Sequence, residues 1–286
     1  MELGVVFPQT EIGSDPAAVR DFAQAAESIG FSHLLIYDHV LGADPDRPDP
    51  LPGPYTKDHL FHEPFVTLGY LAGVTTTIEF APAVIILPQR QTALVAKQAA
   101  QIDLLSGGRL RLGVGTGWNW VEYEALGENF HDRGRRQEEQ IDLMRRLWSE
   151  EVVSYKGRWH RVTKAGLNPL PSRQIPIWFG GGADALLKRA ARIGDGWMAV
   201  MATEEKERSL VDRLHGYLKE AGRAPDSFGI QARDRIRDGD PESWRRNAER
   251  WRSLGATHLA VVTMDAGLAR PDAHIDAIRR YWDALA

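Results

Sequence analysis

No cysteine occurs in this chain of 286 residues. That one absence excludes a disulfide framework, cysteine-ligated zinc, iron–sulfur clusters and thiol nucleophiles. Long apolar runs are missing too. No window approaches the ~18 apolar residues that a membrane span needs. The opening Met1-Glu2-Leu3-Gly4 runs straight into an apolar stretch without the basic start of a signal peptide, so a cytoplasmic location is expected. Neither sign of charge dominates. Thirty-five basic residues against 39 acidic ones give a net charge of −4, which argues against nucleic acid or a membrane as a partner. Two catalytic signatures are also absent, the G-x-S-x-G elbow of serine hydrolases and the G-x-x-x-x-G-K-[ST] phosphate loop. What remains is an ordinary soluble composition, 43% hydrophobic and 26% charged, with 27 glycines and nine tryptophans left to explain.

The dominant pattern is a short β-like run followed by a helix-like stretch, repeated down the chain. Strands are predicted at residues 3–7, 33–36, 79–86, 110–114, 177–179, 198–200, 228–231 and 258–262. Helices are predicted at 16–29, after the Ser14-Asp15-Pro16 cap, and at 63–74, 92–105 and 135–149. Further helices are predicted at 183–193, 204–221, 241–254 and 271–285. Residues 152–155 and 159–162 read as a small hairpin around Lys156-Gly157. Eight strand–helix units in this length predict an α/β (β/α)8 TIM barrel forming a single domain over residues 1–286, with insertions after strands 2 and 4. The first insertion is the proline-dense loop at 45–54. A doubly wound sheet is the alternative, but the first strand ends in Phe7-Pro8-Gln9 with no glycine cluster.

In a barrel of this kind chemistry comes from the C-terminal ends of the strands. Three of those ends stand out. Asp38-His39 ends the second strand; it is either a proton-transfer pair or a hydrogen-bonded loop histidine. Gly113-Val114-Gly115-Thr116-Gly117 ends the fourth. Its spacing fails the dinucleotide fingerprint, leaving a bare-backbone platform for a flat ring or a tight turn. Gly180-Gly181-Gly182-Ala183 leads into a helix, whose N-terminal amides and dipole suit a phosphate. His59 and His62, near Asp58 and Glu63, read as lid residues rather than metal ligands, and no metal site is expected. Arg133, Arg135 and Arg136 read as a solvated helix start within reach of an acidic ligand tail. Trp118, Trp120, Trp159, Trp178 and Trp197 read as core or rim packing.

The ordered set of motifs resembles the bacterial luciferase-like superfamily, in its coenzyme F420-dependent oxidoreductase branch. The matching stretches include residues 4–8, Tyr37-Asp38-His39, 83–88, Gly113 through Asn119, 122–127, 133–136, Asn168-Pro169, 175–181 and 189–197. The resemblance implies a barrel that binds a deazaflavin or a flavin at its C-terminal mouth. It implies a non-proline cis peptide at Ala83-Val84 against the ring, with Gly113, Gly115, Thr116 and Gly117 facing it. Asn119, Glu122 and Tyr123 would line the polar edge of the ring, and Gly180, Gly181, Gly182 and Ala183 would hold the phosphate. His39 would give or take a proton, oriented by Asp38. The implied activity is hydride transfer between F420 and a small organic substrate; a flavin (FMN)-dependent monooxygenase is the alternative. A homodimer is expected. One position departs from the sugar-phosphate dehydrogenases of this branch: Trp118 stands where they carry a glutamate, which argues against glucose 6-phosphate.

Overall fold

The computed structural model describes residues 1–286, apart from the side chain of Asp238. The barrel strands are β1 (Glu2–Val6), β2 (His33–Ile36), β3 (Glu79–Pro82), β4 (Ile85–Ile86), β5 (Leu112–Gly115), β8 (Ile177–Gly180), β9 (Gly196–Met198), β10 (Gly229–Arg235) and β11 (His258–Val262). They form one sheet in the order β3-β2-β1-β11-β10-β9-β8-β5-β4, and every pairing in it is parallel. The sheet closes where Phe80 bridges Leu110, with the Phe80 amide bonded to the Arg109 carbonyl. β3 and β4 are two halves of one barrel strand. The cis peptide Ala83-Val84 lies between them. Eight barrel positions therefore carry nine strands, and the (β/α)8 barrel is confirmed.

The helices are α1 (Pro16–Ile29), α2 (Pro64–Val74), α3 (Thr92–Leu105), α4 (Trp120–Ala125), α5 (Arg133–Leu147), α6 (Asp184–Ile193), α7 (Glu204–Glu220), α8 (Pro241–Ser253) and α9 (Pro271–Leu285). Four of them start with proline at a first-turn position, where the missing N–H costs nothing. Side-chain caps fix several starts: Asp15 for α1, Thr203 for α7 and Asp240 for α8. The long excursion after β5 carries α4, α5 and the antiparallel hairpin β6 (Val153–Lys156) and β7 (Arg161–Ala165).

Strand alternation divides the interior into two cores. Leu34, Ile36, Leu259 and Val261 point outward into the large cluster shared with the helices. Val6, Leu35, Ala260, Val262, Met198 and Trp178 point into the barrel lumen. Trp178 fills the lower lumen, where a methyl group on Gly196 or Gly229 would collide with its indole. Arg111 stacks on that indole at 4.2 Å and pairs with Glu79 at 2.9 Å. His258 meets the indole edge-on at 5.1 Å and His33 at 5.2 Å. Burial and the nearby Arg111 charge hold His33 well below the usual histidine range and bring His258 down to about 3, so both rings are neutral.

Two predicted boundaries shift for identifiable reasons. The sixth barrel strand lies at β9 rather than 198–200, because Gly196 and Trp197 pair with β8 and β10. β10 runs on to Arg235, past the predicted end at residue 231, because polar Arg233 and Asp234 still pair with β11.

Candidate active site

The C-terminal ends of the strands surround a cavity of about 610 Å³. His39 lines it, and its Nδ1 is 3.0 Å from Glu122 Oε1. The same oxygen accepts the backbone amides of Val40 at 2.9 Å and Leu41 at 3.2 Å. Glu122 is 1% exposed, so this carboxylate is fixed before any ligand arrives. With Nδ1–H directed at Glu122, Nε2 is the nitrogen left to exchange a proton. The His39 ring is enclosed by aromatic edges: Phe61 at 4.8 Å, Tyr55 at 5.2 Å and Trp118 at 5.6 Å. Tyr55 and Phe61 come from the loop between β2 and α2, which is seated against the Trp118 ring through Gly53. Burial raises the Tyr55 phenol to about 12, so it stays protonated.

Asp38 does not orient His39. Successive residues at a strand end point in opposite directions, and the Asp38 carboxylate turns to Arg90 instead. Arg90 Nη2 donates to Oδ1 at 2.7 Å and Nε to Oδ2 at 3.3 Å, while the Ile86 amide donates to Oδ2 at 2.9 Å. Burial pushes the Asp38 carboxyl above its ordinary value, against the pull of Arg90 and the Ile86 amide. Asp38 therefore ties the end of β2 to β4, just past the Ala83-Val84 peptide. Arg90 also reaches Glu63 at 3.1 Å. Nothing local in the sequence marks Arg90, which lies 52 residues from Asp38.

Ala83, Val84, Gly115, Thr116 and Gly117 all line the cavity. The glycines serve the Val84 bulge first. A methyl group on Gly115 or Gly180 would sit 2.5 Å from a Val84 methyl. Gly113 lies deeper, against the Pro82 carbonyl and Met198, and does not line the cavity. Three further expected residues are absent from the cavity wall. Asn119 caps α4 and donates to the Leu41 carbonyl at 3.0 Å. Tyr123 is buried and donates to the Thr116 carbonyl at 2.8 Å. Glu122 is buried behind the wall and holds the His39 ring.

Gly180, Gly181, Gly182 and Ala183 form the wall where α6 begins. Gly181 has φ +137°, a backbone conformation open to glycine and strained for other residues. Ala183 offers no side-chain cap, so the Asp184 and Ala185 amides have no acceptor within the helix, while the Leu186 and Leu187 amides bond back to the Ala183 carbonyl. Arg133, Gly134 and Arg189 complete this end. Arg133 Nε is buried and has no hydrogen-bond partner. A helix N-terminus, an uncapped glycine turn and an arginine whose Nε lacks a partner share this part of the wall, a setting that suits an anion such as phosphate.

A family model described as luciferase-like monooxygenase matches residues 1–284. An uncharacterised protein of Mycobacterium tuberculosis is 36% identical over 250 residues, covering 81% of this chain and 85% of that protein. The chain belongs to the luciferase-like monooxygenase family. As a member of that family it is an oxidoreductase. It is also 30% identical over 253 residues to the F420-dependent hydroxymycolic acid dehydrogenase of M. tuberculosis, covering 87% of this chain and 66% of that protein. The monooxygenase RslO1 from Streptomyces bottropensis superposes with a TM-score of 0.81 at 17% identity, covering 100% of this chain and 98% of that one, so the two share a fold.

Sequence reasoning missed several residues that line the luciferase-like cavity, among them Tyr37, Gln231 and Arg233. Gln231 and Arg233 follow alternation along β10, and a correct end for that strand would have placed them facing the lumen. Among the described residues no cluster of three or more metal-ligating side chains occurs, and no helix is long and apolar enough to cross a membrane.

Proposed function

We propose that this oxidoreductase uses coenzyme F420 and moves a hydride between the deazaflavin and a small organic substrate. The observation that carries the reading is His39 in the cavity wall with its Nδ1 held by buried Glu122. The 30% identical F420-dependent dehydrogenase supports the choice of cofactor. The residues present fit the group. Gly180 through Ala183, the α6 amides and Arg133 would hold its phosphate, and the Ala83-Val84 bulge would back its ring. When bound, the deazaflavin supplies a ring carbon that gives or accepts a hydride.

The protein's own share is placement and proton handling. Glu122 fixes the His39 ring so that Nε2 holds or moves the proton at the substrate oxygen. Tyr55, Phe61 and Trp118 exclude water around that nitrogen and so strengthen its hydrogen bond to substrate. The rigid Val84 bulge, pressed between Gly115 and Gly180, sets the face on which the reactants meet.

The test is a titration of purified protein with F420 and with FMN, followed by tryptophan fluorescence. Saturable F420 binding is expected; FMN binding without F420 binding overturns the choice of cofactor. In turnover assays His39→Ala is expected to lower kcat by about 10²–10⁴-fold while F420 affinity stays within about twofold. Unchanged turnover in that variant removes His39 from the mechanism.

A further inference from the structure

The three arginines in the cavity wall differ in what neutralises them. Arg189 pairs with Glu138 at 2.9 Å. Arg133 stands beside the phosphate cradle, where an anion is already expected. Arg233 lies two strands further round the barrel, at the end of β10. It donates to the Tyr37 hydroxyl at 3.2 Å and to the Ala199 carbonyl at 2.9 Å, neither of them charged. No carboxylate among the described residues pairs with it.

Arg233 is also part of the wall of a second cavity, of about 660 Å³, between the starts of α7 and α8. The acids around that cavity already have partners. Glu207 accepts Arg250 at 2.7 Å and the Ala202 amide at 3.1 Å, and Asp234 accepts the Tyr281 hydroxyl at 3.0 Å. The buried side-chain atoms left without a partner in this wall are Trp244 Nε1 and Arg250 Nη1. Both are donors, and the second cavity has no orphaned buried acceptor to match them. A surplus of donors calls for a ligand made of acceptors.

We propose that this second cavity takes an anionic group of the substrate, a carboxylate or a phosphate, with Arg233 as its specificity-determining residue. The inference rests on the proposed function, because it places the reacting carbon at His39 and the anionic end beyond Arg233. Arg233 lines both cavities, and it donates to the hydroxyl of Tyr37, two residues before His39. The substrate class is then a small alcohol or carbonyl compound that bears an acidic group. The planar guanidinium fork suits either anion.

The experiment is isothermal titration of succinate and of inorganic phosphate into the protein, without cofactor and with saturating F420. At least one anion is expected to bind, and the tighter of the two tells carboxylate from phosphate. Arg233→Gln is expected to weaken that binding about tenfold or more, with partial recovery in Arg233→Lys and unchanged F420 affinity. Three results overturn the proposal: no binding of either anion to the wild type, equal binding to Arg233→Gln, or loss of binding on Arg133→Gln instead. If F420 does not bind while Arg233-dependent anion binding persists, the cofactor assignment falls and the anion site stands.

Discussion

Glu122 carries three donors on one oxygen: the His39 ring and the amides of Val40 and Leu41. It therefore sets both the tautomer of the ring and the path of the chain leaving β2. Glu122→Gln keeps the shape but removes the charge, and kcat is expected to fall about 10- to 100-fold with little change in F420 affinity. A loss of affinity equal to the loss of kcat in stopped-flow binding would show that Glu122 shapes the cofactor site instead. Asp38 is a different case. Its side chain is fully buried and faces Arg90, so Asp38→Asn removes the buried charge of the pair and leaves the 14% exposed Arg90 side chain with its second carboxylate, Glu63. Breaking a buried pair on one side typically costs roughly 3–5 kcal/mol. Urea denaturation should show a loss of that order, and the Asp38→Asn/Arg90→Met double variant should lose less than the sum of its single changes. The adjacency of Asp38 and His39 was legible from the sequence, but their separate partners were not. Those partners, Arg90 and Glu122, lie 52 and 83 residues away and belong to other barrel units.

At the level of elements, the third barrel strand shows how local and distant signals combine. Alternation in residues 79–86 reads as one strand, yet β3 and β4 are separated by a bulge that needs glycine on both neighbouring strands. The glycine runs at 113–117 and 180–182 were visible as unusual. Part of their purpose, room for Val84, requires knowing which strands lie beside it. Gly115→Ala is expected to displace Val84, costing about 1–3 kcal/mol of stability and weakening F420 binding. Thermal unfolding and fluorescence titration check the two effects separately. Helix α1 supplies a pH-dependent contact. Burial would raise the Glu27 carboxyl, but the amides of Thr76, Thr77 and Ile78 outweigh it and bring the group down to about 2. A depressed carboxylate stabilises the fold fully above its unfolded value near 4.5 and loses that contribution as pH falls toward 2. Glu27→Gln should therefore be less stable than wild type at pH 7, with the gap narrowing steadily between about pH 4.5 and pH 2. A gap that does not change with pH would place the effect in packing instead.

Across the whole molecule the repeat of strand and helix was the strongest signal, because each unit buries its own apolar face through periodicity alone. Closure of the barrel was less legible. It depends on Phe80 meeting Leu110 and on the polar residues that fill the lumen, a contact and a packing that no single window contains. A ligand that binds only the folded barrel stabilises it by mass action, by about 2.7 kcal/mol at a hundred times its dissociation constant. Saturating F420 should accordingly raise the melting temperature by several degrees, and by the same amount in His39→Ala.

The lumen beneath the site is sealed. Trp178, with Arg111 stacked on it and His258 at its edge, stops the barrel from below, while Leu35, Met198 and Gln231 form the cavity floor. Cofactor and substrate must therefore come and go through the same mouth at the strand ends. Whichever lies deeper has to enter first and leave last. Where one reactant covers the other in that well, product-inhibition kinetics should show an ordered rather than a random pattern.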